Sequence, residues 1–114
     1  MEVKVKELGL KFSVPDRPTV RQQLNYNGHI FANRLTDVFW RNWQAATALI
    51  EDWDCKAIPD FKLVYDMRMA EDEAEQGAVY LDEATDPTIT NILIRVGNEV
   101  AVHVAGLEDM PKNS

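Results

Sequence analysis

Phe39, Trp43, Ala46, Ile50 and Trp53 recur at intervals of four and three residues, which places two of the three tryptophans on one helical face. Trp40 lies off that line. A buried tryptophan covers about 150 to 250 Å² of surface, so a face this aromatic governs what a chain of 114 residues can become. Either the remainder of the chain folds over it or another molecule does, because exposed apolar patches of that size mark interaction sites. Trp43 and Trp53 are read as core, and Trp40 as the indole that reaches the surface or a partner.

Local signals place this helix in a larger plan. Thr36 suits an N-cap and Asp37 suits the positive end of the helix dipole, so the Trp-bearing helix is placed from about Asp37 to about Trp53, with Pro59 blocking any continuation. Upstream, Val3 and Val5, then Leu8, Leu10, Phe12 and Val14, alternate around Gly9, as in a strand pair or one long kinked strand. Thr19 and Gln22 have the spacing of a capping box, which starts a helix near Val20 with Val20, Leu24 and Tyr26 turned inward. Asn27 and Gly28 interrupt or end that helix, and Ile30 and Phe31 resume apolar character.

Downstream, Asp86 and Pro87 form a second clear helix start, acid at the N-cap and proline at the first helical position. Ile89, Ile92, Leu93, Val96, Val100, Val104 and Leu107 then make a continuous apolar stripe. Gly97, within it, either allows close helix approach or marks a bend, and Gly106 reads as a terminator. Between these helices, residues 66 to 86 carry Asp66, Glu71, Asp72, Glu73, Glu75, Asp82, Glu83 and Asp86 against Arg68 alone, which marks a flexible, self-repelling insertion. Phe61 to Tyr65 can pack before it, and Ala78 to Leu81 form a short apolar break inside it.

The resulting fold class is α+β, mostly helical: a small N-terminal β hairpin packed with three to four amphipathic helices. Length fits a single domain over 1–114, with a β element at 1–15, a helical part at 19–107 and a tail at 108–114. Hydrophobic content of 46% against 27% charged residues is that of a folding chain, not a disordered one.

Composition also removes several classes of function. A net charge of −7 disfavours nucleic acid as a partner, because duplex binding rests on Lys and Arg displacing counterions. No apolar run approaches a membrane span or a signal segment, and one cysteine, Cys55, offers no intrachain disulfide, so no membrane partner is expected and a cytoplasmic location is the expectation.

Catalytic and metal patterns are also missing. His29, His103 and Cys55 match no metal-ligand spacing, and Cys55 reads as a small buried hydrophobe. The acids from Glu71 to Asp82 do not follow the calcium-loop order, and the five glycines are scattered, not clustered into a phosphate loop. No catalytic residue, cofactor or metal is therefore assigned, and the chain is read as no enzyme.

The chain as a whole resembles the tail assembly chaperones of long-tailed bacteriophages. The resemblance is carried by VKELGLKFSVPDRPTVRQQLNY, WRNWQAATALIEDWDCKAIPD, DPTITNILIRVGNEVAVHV and LEDMPKNS, which span most of the 114 residues as layout and wording, not as a catalytic motif. It implies a small, non-enzymatic protein of the host cytoplasm that coats a helical tape measure protein and holds it soluble until tail tube protein polymerises around it. It also implies an apolar client-binding face within an acidic outer surface, and a short form beside a frameshift-extended one. Phe39, Trp40 and Trp43, with Val96, Val100 and Val104 from the last helix, are the contacts carried over, the family having no residue-level binding motif. A protein partner, whether tape measure or another tail protein, and self-association into a homo-oligomer both fit. The alternatives are a virion component of the tail or neck and, behind it, an acidic inhibitor that mimics nucleic acid through residues 66 to 86.

Overall fold

The computed structural model describes residues 1–32, 38–65 and 79–108. Among these residues the fold is broadly α+β: a three-stranded antiparallel sheet, three α-helices and a short parallel strand pair.

Strand β1 (Glu2–Val5) turns through a single 3-10 turn into strand β2 (Leu10–Ser13). Gly9 makes the reversal possible, since its φ of 59° lies in the left-handed region, and its N–H donates to the Lys6 carbonyl at 3.1 Å. Helix α1 (Val20–Ala32) starts where the capping box places it. The Gln22 N–H donates to Thr19 Oγ1 at 3.2 Å, and the Thr19 N–H donates to Gln22 Oε1 at 2.8 Å. Asn27 and Gly28 lie within this helix and neither break nor end it.

Helix α2 (Val38–Thr47) is shorter than its periodicity suggests, and Thr36 and Asp37 lie outside the described residues. The chain leaves the helix through tightened turns, with Ala48 and Leu49 N–H donating to Ala45 and Ala46 carbonyls. Strand β3 (Asp52–Cys55) follows at once. Trp53 is therefore a strand residue, and the Trp-bearing helix ends at Thr47 instead of running to Trp53. Two physical causes act together. Glu51, Asp52 and Asp54 would put negative charge at the negative end of the helix dipole. The open edge of β2 also supplies partners, with Glu51 N–H donating to the Ser13 carbonyl at 2.9 Å and Lys56 N–H to the Gly9 carbonyl at 3.1 Å.

The sheet order β1-β2-β3 gives two apolar rows on one face, Val3–Phe12–Trp53 and Val5–Leu10–Cys55. The other face carries Glu2, Ser13 and Asp52, then Lys4, Lys11 and Asp54, so the sheet is core on one side and solvated on the other. Cys55 is a free, buried thiol in the inner row.

Beyond β3, strands β4 (Val64–Tyr65) and β5 (Val79–Tyr80) pair in parallel, Val64 opposite Val79 and Tyr65 opposite Tyr80. The pairing joins the residues on either side of 66–78, which lie outside the described residues. Helix α3 (Pro87–Glu108) begins as its sequence directs, with Thr88 N–H donating to Asp86 Oδ1 at 2.9 Å. Gly106 sits inside α3 without a positive φ and does not terminate it.

The core gathers the inner face of the sheet, Trp43, Ala45, Ala46 and Leu49 from α2 and its exit turn, Ile58, and Ile92, Val96 and Val100 from α3. Helices α2 and α3 approach closely at Gly97. A Cβ built there would lie 3.0 Å from Asn42 Cβ and 3.1 Å from the Trp43 backbone nitrogen, so Gly97 allows the close helix approach. Trp53 joins the two layers: its ring centroid is 6.1 Å from Phe12, 5.8 Å from Trp43 and 5.4 Å from Phe61. Its indole N–H donates to the Ile58 carbonyl at 2.6 Å.

Candidate protein-binding surface

Helix α1 has two apolar faces. Tyr26 is buried and Ile30 packs against the core, whereas Val20, Leu24 and Phe31 stand 71%, 66% and 66% exposed. Positions 20, 24 and 31 fall on one side of a helix, so these three side chains form a stripe turned away from the core. The expected inward placement of Val20 and Leu24 is thus corrected: a residue pair at i and i+4 fixes a face but not its direction, and the helix docks through Tyr26 and Ile30 instead.

Val38 and Phe39 at the start of α2 extend the exposed apolar surface at about half exposure each. Beside them Trp40, half-buried, forms a ridge between two open clefts. One cleft, about 230 Å³, is lined by Phe39, Trp40, Leu81, Ile89 and Leu93 with Asp86 at its wall. The other, about 390 Å³, is lined by Trp40, His29, Gln44, Phe61 and Lys62. The Trp40 indole N–H is shielded from solvent and has no acceptor among the described residues. Such an orphaned donor costs about 1 to 3 kcal/mol.

The residues carried over as contacts divide sharply. Phe39 and Trp40 border the clefts, and Val104 is half-buried against the core. Trp43 is 1% exposed and reaches only the wall of the second cleft, and Val96 and Val100 are 0% exposed and offer no surface to a partner in this conformation. An apolar stripe looks the same in sequence whether it faces a core or a client. The outward stripe on α1 is not among the residues carried over. Its sequence signal is the presence of two apolar lines, Tyr26 with Ile30 and Val20 with Leu24 and Phe31, on one 13-residue helix.

Cys55, His29 and His103 do not converge. They sit on β3, α1 and α3, and no group of three His, Cys, Asp or Glu able to hold a metal occurs among the described residues. His103 Nε2 lies 3.0 Å from the Pro15 carbonyl, which requires a proton on that nitrogen and ties α3 to the segment after β2. Asp16 is held below its ordinary carboxylate value of 3.8, first by the hydrogen bond from the Met1 ammonium at 2.6 Å and then by that charge and His103. Among the described residues no helix is long and apolar enough to cross a membrane.

No family model, curated protein or solved structure matches this chain.

Proposed function

We propose that this protein is a non-enzymatic binding protein of the phage tail assembly chaperone kind, which holds a helical tape measure protein soluble in the host cytoplasm during tail assembly. The observation that carries the reading is the outward stripe of α1: Val20, Leu24 and Phe31 keep large apolar side chains in water on a chain that has core positions for others. Phe39 and Trp40, beside their clefts, add a second apolar strip of the kind a helical segment docks into with residues at i, i+4 and i+7. The net charge of −7 keeps such a complex dispersed.

Co-expression with a helical fragment of the tape measure protein tests the reading. The fragment should stay soluble and co-purify, and the protein should be absent from finished particles. A fragment that precipitates equally with and without this chain overturns it, as does the chain's presence in purified virions.

A further inference from the structure

Charge is distributed unevenly over this acidic protein. From Arg17 to Phe31, the segment that leads into and forms α1, the sequence holds Arg17, Arg21 and His29 and no Asp or Glu. Arg17 and Arg21 are exposed, and Arg21 is one position from Val20 and three from Leu24, beside the outward stripe. The cleft between α2 and α3 has the opposite character. Phe39, Trp40, Leu81 and Leu93 line it, Asp86 stands at its wall, and Asp82 and Glu83 are exposed in the turn next to Leu81. Among the described residues no Lys or Arg lines that cleft.

We infer that these two surfaces are complementary and that the cleft takes the N-terminal half of α1 from a second copy of this chain. Val20 and Leu24 then enter the apolar cleft, and Arg17 and Arg21 meet Glu83, Asp82 and Asp86. Opposite charges at the rim set the orientation, while burial of Val20 and Leu24 supplies the affinity. A second copy is favoured over an unrelated partner because both halves of the match, basic and apolar against acidic and apolar, are present on the same chain.

The two surfaces are different, so the contact is heterologous: each copy uses α1 toward one neighbour and its cleft toward another. Such a contact propagates into a ring or an open chain instead of stopping at a dimer. In the absence of a client the same association covers the apolar surfaces that the client reading leaves in water. The association itself does not depend on that reading, and its test uses the purified protein alone.

Sedimentation of the wild-type chain from low to high concentration should show mass rising past two copies. The double variants Val20→Ser with Leu24→Ser, and Glu83→Arg with Thr90→Arg, alter only exposed residues on the two opposite surfaces. Each should weaken self-association on the order of tenfold or more, the scale of losing a central interface contact. Mixed together, the two should form a one-to-one dimer that grows no further, because each supplies the surface the other lacks. Circular dichroism matching wild type confirms that both variants fold. A wild-type chain that stays at single-chain mass overturns the inference. So does a wild-type assembly that stops at two copies, or a variant mixture that forms no dimer.

Discussion

Adding one methyl group at Gly97 tests how α2 and α3 are held together. In an exposed helix interior, glycine to alanine gains about 1 kcal/mol from helix propensity. Gly28 in α1 supplies the reference, since a Cβ built there meets nothing within 4 Å. At Gly97 the same methyl would sit 3.0 Å from Asn42 Cβ, 3.1 Å from the Trp43 nitrogen and 3.2 Å from the Asn42 carbonyl carbon. Two of those atoms are backbone, so no rotamer change relieves the contact and α2 itself must move. That movement disturbs Trp43, which is 1% exposed and lies edge-on to Trp53. Overpacking of this kind costs about 1 to 3 kcal/mol. Gly97→Ala should therefore fall below Gly28→Ala in stability by that same amount, about 1 to 3 kcal/mol, the propensity gain being common to both. Urea denaturation of the two variants measures the difference, provided the slopes agree with wild type. If Gly97→Ala equals or exceeds Gly28→Ala, the close approach of the two helices is wrong.

The two tryptophans of α2 should respond in opposite ways. Trp43→Ala empties the core and should cost about 3 to 5 kcal/mol, whereas Trp40→Phe removes an indole N–H that has no acceptor among the described residues and, less the contacts of the larger ring, should raise stability by up to about 1 to 3 kcal/mol; thermal melts of both decide it. Asp86→Ala removes the side chain that accepts from the Thr88 N–H and should cost about 0.5 to 2 kcal/mol in denaturant unfolding. Because the folded-state pKa of Asp16 is depressed, its contribution to stability is present above pH 3.8 and is lost as pH falls through the lower folded value. A carboxyl NMR titration should place its midpoint below 3.8, and Asp16→Asn should remove that part of the acid sensitivity.

The fold was legible wherever a local signal stood alone. The capping box of Thr19 and Gln22, the Asp86–Pro87 start of α3 and the β1–β2 hairpin around Gly9 depend on short-range chemistry, and each is found at the expected residues. Strand β3 was hidden because Ile50 and Trp53 happen to continue the helical phase of Phe39, Trp43 and Ala46. The competing signal is Asp52-Trp53-Asp54-Cys55, a polar–apolar alternation that becomes a strand only when β2 offers an edge at long range. The binding surface was less legible still. Periodicity identifies apolar faces but carries no sign for inside or outside, so from sequence the buried Val96 and Val100 read as surface contacts and the exposed Val20 and Leu24 as inward-facing. Packing partners, not residue type, assign that sign.

The claim that the exposed apolar stripe of α1 exists to grip another polypeptide is tested most directly by methyl NMR of the protein with and without a helical tape measure fragment. The methyl resonances of Val20 and Leu24 should shift or broaden on addition of the fragment, while those of the fully buried Val96 and Val100 stay in place. A fragment that binds and leaves Val20 and Leu24 unperturbed, or one that does not bind at all, contradicts the account.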